Sequence, residues 1–153
     1  MSGFNSLIGK QFGQDQSNGA LISREIEITR PAVDATITVS AEGATTANTR
    51  DIVVTLLDSQ GVAIEAVEEI EVHMFLNAAR TAYVVTGGST GITLGAAGDG
   101  AILIIVAKKV FVCTTEATGI LDLDWLDTGT EVAFLGVKLP NGRYVMSTAL
   151  TNA

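Results

Sequence analysis

The chain has 153 residues and a formal net charge of −8, a length that suits one domain able to bury a core without disulfides or metals. Only 17% of its residues are charged, against about 25% in ordinary soluble domains. Small Ala, Gly and Thr take their place, which implies a surface partly covered by something else. The acidic balance excludes a footprint for nucleic-acid backbones and disfavours anionic membranes, and the longest uninterrupted apolar run, residues 101–107, is far too short to span a bilayer.

The opening, MSGFNSLIGK, has no apolar h-region, so no secretory signal is expected and assembly in the cytosol fits. Residues 1–19 are rich in Gly, Gln, Asn and Ser, with Phe4, Leu7, Ile8 and Phe12 as their only large apolar groups. This composition predicts an arm that orders against a partner rather than a core element. Within residues 1–30 the charges cancel: Lys10, Arg24 and Arg30 against Asp15, Glu25 and Glu27. The whole excess of acid therefore lies in 31–153, where six basic residues face fourteen acidic ones. The division expected is an arm over 1–30 and a β domain over 31–153.

From Leu21 onward the pattern has period two. Ile26-Glu27-Ile28 and Ile37-Thr38-Val39 alternate, and 51–58 (DIVVTLLD) is an apolar, β-branched strand. Asp58-Ser59-Gln60-Gly61 reads as a turn. Ile70, Val72, Met74 and Leu76 then share one face, with Glu71, His73 and Phe75 on the other. Strand-like 83–86 and 92–94 are followed by Gly-rich stretches at 87–91 and 95–100. Residues 101–106 and 110–114 are strongly strand-like, joined near Lys108-Lys109. In 120–125, Leu121, Leu123 and Trp125 alternate with Ile120, Asp122 and Asp124. Residues 131–139 and 144–150 flank Pro140-Asn141-Gly142-Arg143, the clearest hairpin signal in the chain. Residues 64–70 could form a short helix, but a loop or strand edge is the better reading. Short strands at such spacing predict a β-sandwich or barrel.

No constellation names a reaction. His73 is the only histidine and Cys113 the only cysteine. They cannot supply three or four zinc ligands, and Cys113, in an apolar stretch, reads as a buried inert thiol. A strand histidine facing solvent or an interface is the expectation for His73, since no nucleophile–base pattern or G-x-S-x-G elbow accompanies it. Asp122, Asp124, Asp127 and Glu131 form an acidic cluster that departs from the EF-hand loop at its glycine and closing glutamate. The Gly-rich segments lack the lysine and following helix of a phosphate loop, so they read as flexible hairpin loops. No catalytic residue, cofactor or metal is expected. Among the aromatics, Phe75 and Tyr83 are the best candidates for exposure, with packing against a neighbouring strand or subunit the favoured use.

Three segments carry a resemblance: DIVVTLLDSQGVAIEAVEEIEVHMFL, then GITLGAAGDGAILIIVAKKVFVCTTEATGILDLDW, then VAFLGVKLPNGRYVMSTALTNA. In order and spacing, residues 50–153 resemble an immunoglobulin-like module of tailed-bacteriophage virion proteins. The resemblance implies an immunoglobulin-like antiparallel β-sandwich preceded by an extended N-terminal arm. It also implies non-enzymatic attachment to a virion as a capsid decoration protein, a head fibre or a tail appendage. The partners expected are the major capsid protein or another virion protein, and further copies of the chain in a homo-oligomer. Phe4, Leu7, Ile8 and Phe12 of the arm, with Phe75 and Tyr83, are the candidate partner-binding residues. The competing expectation is a fibre or tail module that binds a host glycan near Tyr83, and a hydrolase on a β scaffold is a distant third.

Overall fold

A computed structural model describes residues 31–44, 46–95 and 100–152. The arm expected over 1–30, its residues Phe4, Leu7, Ile8 and Phe12, the alternation at Ile26–Ile28 and loop positions 96–99 lie outside the described residues.

The described chain is all-β. Its nine strands are β1 (Asp34–Val39), β2 (Thr49–Leu57), β3 (Glu69–Phe75), β4 (Gly91–Leu94), β5 (Ala101–Val106), β6 (Val110–Thr114), β7 (Ile120–Leu126), β8 (Phe134–Lys138) and β9 (Tyr144–Met146). They form two antiparallel sheets that pack as a sandwich, one in the order β1-β2-β7-β4 and the other β5-β6-β3-β8-β9. The first order is that of strands A, B, E and D in an immunoglobulin sandwich, and β3-β8-β9 follows C, F and G. The β5–β6 hairpin extends the second sheet beside β3, where variable-type domains carry two extra strands. Here β4 precedes that hairpin in sequence, whereas in the variable-type order the extra strands come first.

Period two decides which side chains meet between the sheets. In β7, Leu121, Leu123 and Trp125 are fully buried, and Asp122 and Asp124 point outward, as the alternation predicts. Ile52 stands opposite Leu123 and Val54 opposite Leu121. From the other sheet, Ile70, Val72 and Met74 meet the same core beside Phe111, Cys113, Leu135 and Val137. Burial pushes the Cys113 thiol up to about 12, so the thiol stays protonated and inert. Leu76 departs from the expected face: it lies beyond the end of β3 and is exposed. The 83–86 strand is reduced to a single bridge between Tyr83 and Phe75, and 64–68 is irregular rather than helical.

The closing hairpin forms where Asn-Gly predicts it, but with a different turn. The Gly142 N–H donates to the Leu139 carbonyl at 2.8 Å, and the Leu139 N–H to the Arg143 carbonyl at 2.9 Å. Pro140 sets the first turn position, and Gly142 carries the positive φ of 84°. This is the three-residue loop with glycine in the left-handed region, not the two-residue turn that needs positive φ at both positions.

Candidate functional site

The outer face of the five-stranded sheet carries the densest polar–aromatic group among the described residues. Register places Glu71 beside Lys138, His73 beside Gly136 and Phe75 beside Phe134, with Lys138 paired to Tyr144 on β9. Gly136 is what makes room: a Cβ there would stand 2.9 Å from the Phe75 ring and 3.0 Å from the Met146 sulfur. Phe75 stacks on His73 and Tyr83 at centroid distances of 5.7 and 5.2 Å. Tyr144 meets His73 edge-on at 5.4 Å, a geometry that aromatic quadrupoles favour.

This cluster corrects the outward reading of His73. The side chain does lie on the face opposite Ile70, yet it is only 7% exposed, because Tyr83 and Tyr144 close over it. Its Nδ1 lies 3.2 Å from the Tyr83 hydroxyl and its Nε2 3.5 Å from that of Tyr144. Hydroxyls donate or accept, so either tautomer of a neutral ring can be served. Burial depresses the His73 pKa, and the nearby Lys138 charge adds to this against the opposing pull of Glu71. Glu71 itself is held below its usual range by the Lys138 ammonium 2.5 Å away. Of the two candidates for exposure, Phe75 is 5% exposed and packs within the cluster, whereas Tyr83 is 44% exposed.

The loop after β3 shapes a cleft beside the cluster. The Asn77 side chain bonds Thr81 through its amide at 2.8 Å and accepts from the Thr81 N–H at 3.3 Å. Within this closed turn Arg80 takes a φ of 60°, a conformation that non-glycine residues adopt at a cost. The result is a guanidinium 4.7 Å from the Tyr144 ring centre, within cation–π range. Phe75, Arg80, Thr81, Ala82, Tyr83 and Tyr144 line an open cleft of about 270 Å³. It offers ring faces, a cation and hydroxyls.

The two other expected features resolve into scaffold. The 87–91 loop does cradle an anion, but the anion is the protein's own Glu131. The carboxylate accepts the N–H groups of Thr86 at 3.0 Å, Gly87 at 2.7 Å and Gly88 at 3.2 Å, and the Thr86 hydroxyl at 3.0 Å. Gly88, at φ 87°, also packs where a Cβ would be 2.8 Å from the Trp125 indole nitrogen. On the other side, the Lys108 ammonium donates to the carbonyls of Gly88 and Ser89 at 2.9 and 2.7 Å. The loop is thus tethered, contrary to the flexible reading. In the acidic cluster, buried Asp127 accepts from the Gly129 N–H at 3.1 Å and the Glu131 N–H at 3.3 Å. Asp122 and Asp124 point to the opposite sheet's outer face, and no group of three or more His, Cys, Asp or Glu among the described residues is placed to hold a metal ion.

A second surface was only half visible in the sequence. β5 is the edge strand of its sheet, and Leu103, Ile104, Ile105 and Val106 are 62%, 58%, 55% and 48% exposed. Ile104 shares the inner-face register of buried Phe111, yet β4, the four-residue edge of the other sheet, leaves it uncovered. Leu103 lies on the outer face with Val112. No protein family, curated protein or solved structure matches the chain.

Proposed function

We propose that the chain is a non-enzymatic structural subunit of a tailed-phage virion, a capsid decoration protein that attaches to the outside of the head. One observation carries the assembly part of this reading: an edge strand with four consecutive apolar side chains about half exposed. Such edges are normally blunted by charge, proline or a cover, because they invite pairing with other chains. A subunit that completes this edge with a neighbour has no need of that protection. The virion part is supported by the likeness of residues 50–153 to virion modules, and the major capsid protein is the partner it suggests. Residues 1–30 serve as the latch, since strand addition supplies main-chain hydrogen bonds.

Cosedimentation with undecorated phage heads tests this. The full chain is expected to bind saturably, and deletion of residues 1–19 to abolish binding while the circular dichroism of the β domain persists. Unimpaired attachment of the truncated chain would remove the arm's role, and no binding by the full chain would overturn the reading.

A second reading draws on the cleft at Tyr83. Exposed aromatic faces beside a cation and hydroxyls suit a sugar ring, so a fibre or tail module that binds a host glycan is the alternative. A glycan array with the protein and with Tyr83→Ala separates the two. Signal lost in the variant favours the glycan reading, and a silent array favours decoration.

A further inference from the structure

We infer that β5 is a homodimer interface, in which the β5 edges of two copies pair antiparallel across a two-fold axis and join two five-stranded sheets into one. The inference rests on the assembly reading of this same strand and names its occupant.

The chemistry of the edge restricts what can cover it. Ala101–Val106 reads AILIIV, with apolar side chains on both faces and no charge, so a partner strand must be uncharged and apolar on both faces too. Among the described edge strands only β5 is both uncharged and long enough to offer such a run. β1 carries Asp34 and two threonines, β4 has four residues and β9 three. Antiparallel pairing about a two-fold sets like against like, Leu and Ile opposite Leu and Ile, a favourable arrangement on both faces of a sheet.

Charge favours a second copy at this place over any other on the domain. Residues 31–153 carry fourteen acidic groups, and two copies repel wherever these meet. Residues 100–115 hold two lysines and no carboxylate. Lys108 is turned away into the 88–89 carbonyls and Lys109 is half-buried in the turn after β5, so the strand itself carries no charge.

Size asks for more than one strand. Four half-exposed side chains amount to an apolar patch of a few hundred Å², at the threshold where such patches mark interfaces, while a stable interface covers about 800 Å² per partner. The remainder can come from the adjoining outer-face residues Val110 and Val112, which are half-buried, and from Val85, 73% exposed. Val85 lies two residues from Gly87, which packs against Lys108 in the β5–β6 turn.

Mass in solution decides the matter. Sedimentation equilibrium of the full chain across the micromolar range is expected to give a dimer. Ile104→Lys should weaken it roughly 100-fold or more, from two apolar side chains left unburied per dimer, with unchanged circular dichroism. Ile105→Thr, at the β-bulge between Ile104 and Val106, tests the same contact with less disturbance if the lysine variant does not fold. A monomeric wild type, a trimer or ring, or a dimer indifferent to both variants would overturn the inference. Amide exchange adds one arm: a monomer whose β5 amides are protected would assign the edge to residues 1–30 and equally overturn it. Head cosedimentation is read separately. A monomer that binds heads sinks the dimer alone, and a dimer that ignores heads sinks the decoration reading alone.

Discussion

Glu131→Gln removes one charge from the anchor of the 86–88 loop at constant shape. Oε1 accepts one bond, from the Thr86 N–H, and Oε2 accepts three, from the Thr86 hydroxyl and the N–H groups of Gly87 and Gly88. A glutamine keeps one oxygen and turns an N–H₂ toward donors at the other position. Hydrogen bonds to a charged acceptor contribute about 1.5–3 kcal/mol each, but the carboxylate is only half-buried and water can replace part of the loss. The net cost expected is about 2 kcal/mol, or roughly 6 °C in melting temperature for a chain of this size.

The pH dependence makes the reasoning specific. Burial acts to raise the Glu131 pKa, and the bonds from Thr86, Gly87 and Gly88 overcome it, so the carboxyl sits below its ordinary value of 4.5. An acid with a depressed folded pKa stabilises the fold above its unfolded value, and that stability is lost as pH falls through the folded pKa. Wild type and Glu131→Gln should therefore differ by a constant amount above the ordinary value of 4.5 and converge as pH falls through the depressed folded value. Thermal melts followed by circular dichroism across that range are the assay, with exposed Glu65→Gln as control. A difference under about 0.5 kcal/mol at neutral pH, or one that persists unchanged in acid, would refute the tether.

Three further outcomes follow from the same structure. Leu123→Ala, at a fully buried position facing Ile52, should cost about 2–5 kcal/mol in chemical denaturation; a loss under about 1 kcal/mol would mean the core collapses around it. Asp124→Asn should stabilise the domain by a few tenths of a kcal/mol at neutral pH, because burial, then the charges of Asp51 and Asp122, raise the Asp124 pKa. That gain should vanish in acid, where the carboxyl is protonated, and a destabilised variant at neutral pH would refute the repulsion. His73 has a pKa lowered first by desolvation, so wild-type stability should fall as pH drops from its ordinary value of 6.5 through the folded one. His73→Gln should flatten that segment of the profile, and an unchanged slope would place its origin elsewhere.

Much of the fold was legible because period two is a local signal. The split of Leu121, Leu123 and Trp125 from Asp122 and Asp124 needs no knowledge of the partner strands. The site was less legible because its geometry is made by residues distant in sequence. Alternation puts His73 on the outer face, but it does not say what lies over that face. The cover comes from Tyr83, ten residues on, and Tyr144, seventy-one residues on. The same holds for the Gly-rich loop, whose anion is supplied by Glu131 from 43 to 45 residues away. Its failure to match a phosphate motif was informative about phosphate and silent about a carboxylate of the chain itself.

β5 shows where a local pattern reaches its limit. An apolar run such as AILIIV marks a strand, and such runs ordinarily lie in strands buried on both faces. Whether a strand is central or at the edge depends on pairing order, and here that order leaves β5 with one neighbour, β6. The low charge of the whole chain acquires a location in consequence. Residues 100–115 carry no acid, and the exposed apolar edge, Leu103–Val106, lies within this stretch. A sequence that needed only a solvated edge would have gained solubility from one glutamate in β5 at little cost to folding, since an outward side chain there touches no core. Its absence from six consecutive positions is what a surface reserved for another chain requires.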